Sequence, residues 1–442
     1  MAKSKSADNK VPLIQVRYIL DAFDGELETQ PRGWADGKNA DPIEFLYRKD
    51  HLLVRDQDVM RLRAAGVKVK KVRHPIPGLA RVRVAAGKTN HRGGTLLDLV
   101  DRLNAQFGAG FATVDHLLNI SPGTHCPATE PDGVPPNARP RPAVSASRCD
   151  GRGSLVAVVD TGLLEDARSS HEWMRGVEGE PEPETKPHSN KIASRYTGHG
   201  TFIASLVRAM APRADVRVAR IFEKVGANFE SEVVKKLYDV LDWAPDVISL
   251  SAGTHTWRNR GLLSFRVFVD GPLRERPQTV LVACAGNDGL DWKFSPAKMK
   301  GVLSVGALAA SGDERAWFTN YGKWVKVYAP GENLVHAYAT GRYKYVETQG
   351  RPDHYFKGMA SWSGTSFATP VVAGLIAARM SGTGETAGEA AASLLDLARA
   401  QALPGVGPVL RPGQACLTRC EPGCPSVGHQ RLPQCCGCAC RH

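Results

Sequence analysis

The most constraining stretch is Met359-Ala360-Ser361-Trp362-Ser363-Gly364-Thr365-Ser366-Phe367-Ala368-Thr369-Pro370, which runs into Val371-Val372-Ala373-Gly374-Leu375-Ile376-Ala377-Ala378. Residues 371–378 carry no charge on any face, so a helix here is expected to be buried all round. Only a large core buries a helix in that way, and a chain of 442 residues can build one. Pro370 is tolerable if the helix starts at about Ser366, because the first N–H groups have no intrahelical partner. The Ser366 hydroxyl then sits at a helix N-terminus, where free N–H groups and the helix dipole favour developing negative charge. Taken alone, Gly-Thr-Ser is simply a cap on a core helix.

The segment leading up to this helix reads as a parallel sheet. From about residue 153, apolar strands alternate with helices. Strands are expected at 155–159, 216–221, 247–250, 280–284 and 302–305. Helices are expected at 200–210, 232–243, 262–269 and 366–380, with a polar, Pro-rich surface loop at 178–191. The globular pattern ends near Leu403.

Three polar words sit at the ends of these elements. Asp160-Thr161-Gly162 follows a buried strand, on the edge where open α/β sheets keep their sites. Asp-Thr-Gly also occurs in aspartic proteases, but those need two carboxylates sharing a site, and this chain has one such word. His199 lies in Gly198-His199-Gly200-Thr201 and opens an apolar helix. Asn287 lies in Ala283-Cys284-Ala285-Gly286-Asn287-Asp288 directly after a strand. Each residue alone reads as a cap, a structural histidine or a turn.

Together they resemble the subtilase family of subtilisin-like serine proteases. Gly-Thr-Ser-x-Ala-Thr-Pro is similar to the family's nucleophile word, and the order Asp160, His199, Asn287, Ser366 is the family's order. Phe318-Thr319-Asn320-Tyr321-Gly322 and Ala329-Pro330-Gly331 match two further family signatures. The resemblance implies an α/β fold: a subtilisin-like parallel-sheet core with helices on both faces. It implies a serine endopeptidase in which His199 takes the proton of Ser366 and Asp160 fixes the imidazole. Asn287 helps to hold the oxyanion, and an acyl-enzyme forms. Ser251-Ala252-Gly253 and Ala285-Gly286 are then expected as walls binding a polypeptide substrate. Cys284 is expected to be a buried free thiol. No cofactor is required; calcium is common in the family, but no Asp/Asn-rich loop with convincing ligand spacing stands out.

Upstream, residues 1–45 have weak periodicity, with a short strand expected at Leu13–Ile19. Residues 46–120 show strands at 52–55, 67–72, 80–85 and 111–118, helices at 57–65 and 95–107, and a turn at Pro75-Ile76-Pro77-Gly78. That β-α-β-β-α-β order is a small ferredoxin-like α+β domain. Placed before a subtilase core, it resembles the family's propeptide, so the chain's own N-terminal domain is an expected partner in cis. The Pro-rich segment 121–150 reads as a linker. The catalytic domain is expected over 151–403. The alternative function is a constitutively inhibited protease-fold regulatory protein that a partner releases.

The tail 404–442 holds seven of the ten cysteines. It reads as a zinc or soft-metal site with His429 or His442, as a disulfide knot that would need export, or as a disordered extension. A metal- or redox-sensing protease switched through this tail is a third functional reading. The net charge of +12 comes from scattered Lys and Arg, which argues against nucleic acid. No signal-peptide core and no membrane-spanning run is evident, so the expectation is a cytoplasmic protein without membrane contact.

Overall fold

The computed structural model describes residues 11–30, 43–85, 95–120, 128–182, 196–345 and 350–417, with only the backbone for 11–15. The N-terminal part comprises α1 (Val11–Ala22), β1 (Leu27–Gln30), β2 (Phe45–Arg55), α2 (Val59–Ala64), β3 (Val69–Ile76), β4 (Leu79–Val84), α3 (Leu96–Phe107) and β5 (Ala112–Asn119). The strand expected at Leu13–Ile19 is instead part of helix α1. Val16, Ile19, Leu20 and Phe23 recur at helical spacing, and Ile19 and Phe23 bury themselves against Leu46, Leu117 and Phe229. Strands run β3-β4-β2-β5, with β1 paired to the start of β2. This is the ferredoxin-like order. Thr95 and Asp98 form a capping box that starts α3.

The larger part follows as β6 (Leu155–Asp160), α4 (Glu165–Ser170), β7 (Glu178–Gly179), α5 (His199–Met210), β8 (Asp215–Arg220), β9 (Ala227–Phe229), α6 (Glu230–Val240) and β10 (Val247–Leu250). It continues as α7 (Leu263–Asp270), β11 (Val280–Cys284), β12 (Val302–Leu308), β13 (Val327–Pro330), β14 (Leu334–Tyr343), β15 (His354–Trp362), α8 (Thr365–Thr383) and α9 (Ala387–Ala400). Seven parallel strands pair in the order β13-β12-β11-β10-β6-β8-β7. Alternation along β6 shows the two buried faces. Val156 and Val158 join the cluster of α5, α8 and α9, whereas Ala157 and Val159 join that of α6 and α7. Chain direction switches sides of the sheet at β6 and β10, which is where such folds open a crevice.

Helix α8 is buried on every side from Thr365 to Arg379. It starts at Thr365, so Pro370 lies at its sixth position, deeper than expected. A proline there deprives the carbonyl four residues earlier, that of Ser366, of its helical donor. The Ser251 hydroxyl replaces it, donating to the Ser366 carbonyl at 2.8 Å.

Two boundaries differ from the expectation. Past the end expected near Leu403 the chain stays packed: Val409 and Leu410 are fully buried, and Leu410 N–H donates to the Tyr328 carbonyl. Described parts of the 121–150 linker also pair with the larger domain, Asp132 with Ser361 and Arg141 with Val335. Cys416, read above with the metal-site or disordered tail, forms a disulfide with Cys149, 267 residues away, at a Cα separation of 5.9 Å. The remaining tail cysteines and both tail histidines lie outside the described residues. Among the described residues no cluster of His, Cys, Asp or Glu is placed to hold a metal, and no helix is long and apolar enough to cross a membrane.

The disulfide ties the first turn of the larger domain to its last. Closing so long a loop constrains the unfolded chain by about 5 kcal/mol. Cys149→Ser is therefore expected to lower the thermal midpoint by roughly 5–8 °C, read by calorimetry under non-reducing conditions. An unchanged midpoint would show that the bond carries no stability.

Candidate active site

Asp160 ends β6 with its carboxylate fully buried. One oxygen, Oδ1, accepts from the Thr161 N–H at 2.8 Å and from His199 Nδ1 at 2.7 Å. A carboxylate can only accept here, so Nδ1 carries the proton and Nε2 presents its lone pair. His199 is the first residue of α5, completely buried, with its ring against Trp362 edge-on at 5.6 Å and Phe367 at 5.2 Å. Its Nε2 has no hydrogen-bond partner among the described residues, an arrangement that costs stability unless another molecule uses it.

Ser366 is the second residue of α8 and also buried. Its hydroxyl lies 3.5 Å from the Ser251 carbonyl, a weak contact at best. The imidazole and the hydroxyl are neighbours through Phe367 but are not hydrogen-bonded to one another. Such contacts are often long without substrate.

Asn287 follows β11, and its Oδ1 accepts from both the N–H (2.9 Å) and the hydroxyl (2.8 Å) of Thr365, the residue next to Ser366. With Oδ1 turned to Thr365, Nδ2 is the donating face of this carboxamide. The Thr365 hydroxyl also accepts from the Gly286 N–H at 3.2 Å. Thr365 thus fixes Asn287 relative to Ser366. Nothing in the spacing of the two words revealed this link, because it spans 78 residues.

The expected walls divide by strand alternation. Ser251 tethers α8, and Gly253 faces the N-terminal domain, exchanging both backbone hydrogen bonds with Asn119. A Cβ at Gly253 would lie 2.4 Å from the Phe294 ring, so only glycine permits this approach. Ala252 and Ala285 are fully buried, each within an apolar cluster. Cys284 is a buried free thiol, and burial pushes it up to about 12, far from thiolate chemistry. Sequence reading also missed Asp288, whose buried carboxylate accepts from His255 Nε2 at 3.0 Å.

Chemically, the arrangement holds an oriented imidazole lone pair, a hydroxyl at a helix N-terminus and a carboxamide donor on the carboxyl edge of one sheet. This suits proton abstraction from the hydroxyl and stabilisation of an oxyanion.

Comparison with known proteins identifies the family of the larger domain. The model of the subtilase family matches residues 151–401, more than half of the chain. A thermophilic serine proteinase of Bacillus sp. (strain AK1) is 32% identical over 192 residues, covering 43% of this chain and 41% of that protein. Thermitase of Thermoactinomyces vulgaris is 30% identical over 238 residues, covering 51% of this chain and 74% of thermitase. Matches to the first relatives thus span about half of their length. Among solved structures, fervidolysin from Fervidobacterium pennivorans, described as a keratinolytic enzyme related to subtilisin, superposes with a TM-score of 0.55 at 18% identity. That superposition covers 87% of this chain and 62% of fervidolysin, and is a likeness of fold. Because the family model matches more than half of the chain and spans the whole seven-stranded layer, the chain belongs to the subtilase family.

Proposed function

We propose that the chain is a serine endopeptidase made with an N-terminal domain that occupies its own substrate crevice. The observation that carries the first half is the 2.7 Å hydrogen bond from His199 Nδ1 to buried Asp160, which leaves Nε2 as the basic atom of a ring packed on Phe367, the residue after Ser366. In this reading His199 takes the Ser366 proton as the hydroxyl attacks the scissile carbonyl. The oxyanion is received by Asn287 Nδ2 and the Ser366 N–H. His199 then protonates the leaving amine, and water resolves the acyl-enzyme. Asp160 stabilises the imidazolium throughout. No metal or cofactor enters these steps.

Contacts between the domains support the second half. Strand β5 pairs antiparallel with β9 on one side, Leu117 opposite Phe229, and bridges Gly253 on the other, so residues 117–119 sit as the middle strand between two crevice walls. A polypeptide substrate would bind in the same way, by adding a strand. Beyond the crevice, residues 129 and 132 lie along β15, where Trp362 Nε1 donates to the Thr129 carbonyl at 2.7 Å and Asp132 pairs with Ser361. The domain is also held by charge. Buried Asp115 accepts from the N–H and hydroxyl of Ser231 at the start of α6, and from Arg48. Burial pushes the Asp115 carboxyl above its ordinary value, more than the neighbouring Arg48 and Arg81 draw it down. His116 Nδ1 meets Glu230 at 2.9 Å, with both groups buried.

The disulfide fits an oxidising compartment better than the cytoplasm. The test of the whole reading is intact mass of purified wild type beside Ser366→Ala. The expected result is that wild type loses about 120–150 N-terminal residues, a cut after β5 and before β6, while the mutant stays whole. Full-length wild type without peptidase activity would instead make the N-terminal domain a standing inhibitor and overturn self-processing.

A further inference from the structure

Asn320 is fully buried and lies in none of the roles assigned above. Its carboxamide uses its whole hydrogen-bonding capacity on one turn, residues 285–290, at whose centre Asn287 sits. Oδ1 accepts from the Asp288 N–H at 2.9 Å and from the Leu290 N–H at 3.3 Å. Nδ2 donates to the Ala285 carbonyl at 3.0 Å and to Asp288 Oδ2 at 2.9 Å. The Asn320 backbone N–H adds a bond to the Gly286 carbonyl at 3.0 Å. These contacts fall on residues immediately before and after Asn287, and on both sides of the turn.

The packing is equally close. Gly286 has φ +91°, and a Cβ there would lie 2.6 Å from Asn320 Nδ2, so the amide is seated directly against the backbone preceding Asn287. No other side chain of this size offers two donors and a two-fold acceptor. Aspartate lacks the donors and would face the Asp288 carboxylate, and alanine leaves two N–H groups and a carbonyl buried without partners.

We infer that Asn320 is a positioning residue for the oxyanion donor: it sets the turn from one side while Thr365 holds Asn287 Oδ1 from the other. The inference rests on the reading of Asn287 given under the proposed function. Pre-aligned donors stabilise a developing oxyanion because they need no reorganisation at the moment of reaction. A turn that has lost its clamp must realign first, and a displacement of about 1 Å costs up to about 100-fold.

The test is a double-mutant cycle on the self-processed enzyme with a peptide p-nitroanilide, using Asn320→Ala, Asn287→Ala and both together. Asn320→Ala is expected to lower kcat about 10- to 100-fold with KM changed less than about threefold. In the Asn287→Ala background the same change is expected to cost less than about threefold, because the donor that this turn places is already gone. A purely structural Asn320 would cost the same factor in both backgrounds, or act on KM, and either result overturns the inference while leaving the endopeptidase reading standing. Hydrolysis that survives in Ser366→Ala overturns both, and a kcat unmoved by Asn287→Ala removes the donor role on which the inference rests and overturns the inference alone. Should Asn320→Ala fail to fold, Asn320→Ser keeps a hydroxyl in place of the amide and sets no carboxylate against Asp288. It is expected to show the same kcat loss and the same disappearance of that loss beside Asn287→Ala.

Discussion

Ser366→Ala is expected to abolish peptide hydrolysis, lowering kcat by about 10⁶-fold while the fold stays intact. The size is that known for subtilisin, a member of the same family, whose serine knockout is the worked case for this effect. The geometry says why so little should remain. Ser366 is the only hydroxyl in this stretch held at the second position of α8, beside the His199 ring's neighbour Phe367 and next to Thr365, which anchors Asn287. Removing one oxygen from a buried site leaves no nucleophile, yet it disturbs no hydrogen bond of consequence, since among the described residues the hydroxyl makes only the 3.5 Å contact to Ser251. Circular dichroism and the thermal midpoint should match those of wild type still carrying its N-terminal domain within about 1 kcal/mol of stability.

The second large effect is expected at Asp160. Asp160→Ala removes the oxygen that accepts from both His199 Nδ1 and the Thr161 N–H. The imidazole is then free to carry its proton on Nε2, which is the wrong atom for a base, and the imidazolium formed during attack loses its buried counter-charge. We expect kcat to fall roughly 10⁴-fold, with KM nearly unchanged, because Asp160 touches no substrate atom. The loss is smaller than at Ser366 because the nucleophile and the oxyanion donors stay in place. Steady-state kinetics on one peptide substrate with both variants gives the ranking. An Asp160→Ala enzyme within tenfold of wild type would remove the carboxylate from the mechanism.

Much of this site was legible in the chain itself, for a physical reason. Asp160, His199, Asn287 and Ser366 each need an element end, and each end is marked locally: an apolar strand before it, a glycine beside it, an apolar helix after it. The fully apolar face of 371–378 announced a buried helix without reference to anything else. What could not be read was long-range. The replacement of the missing Pro370 donor by Ser251 spans 115 residues, and the Asn320 clamp reaches back some 30. Pairing of Cys149 with Cys416 needed the fold to bring two distant ends together. The hairpin of β14 and β15 was missed because much of β14 is buried on both faces and so lacks alternation. The helix at the segment expected as a strand, Leu13–Ile19, was missed for the opposite reason. Its helical face is short, and the partners of that face, Leu46, Leu117 and Phe229, lie far along the chain.

The central claim is that Ser366 is the nucleophile, and covalent labelling tests it most directly. A fluorophosphonate added to the processed protein should modify one residue, found by peptide mass spectrometry on the fragment containing Ser366, with hydrolysis lost in step with labelling. Ser366→Ala should take up no label. A probe that labels another residue, or hydrolysis that persists in a fully labelled sample, would contradict the account.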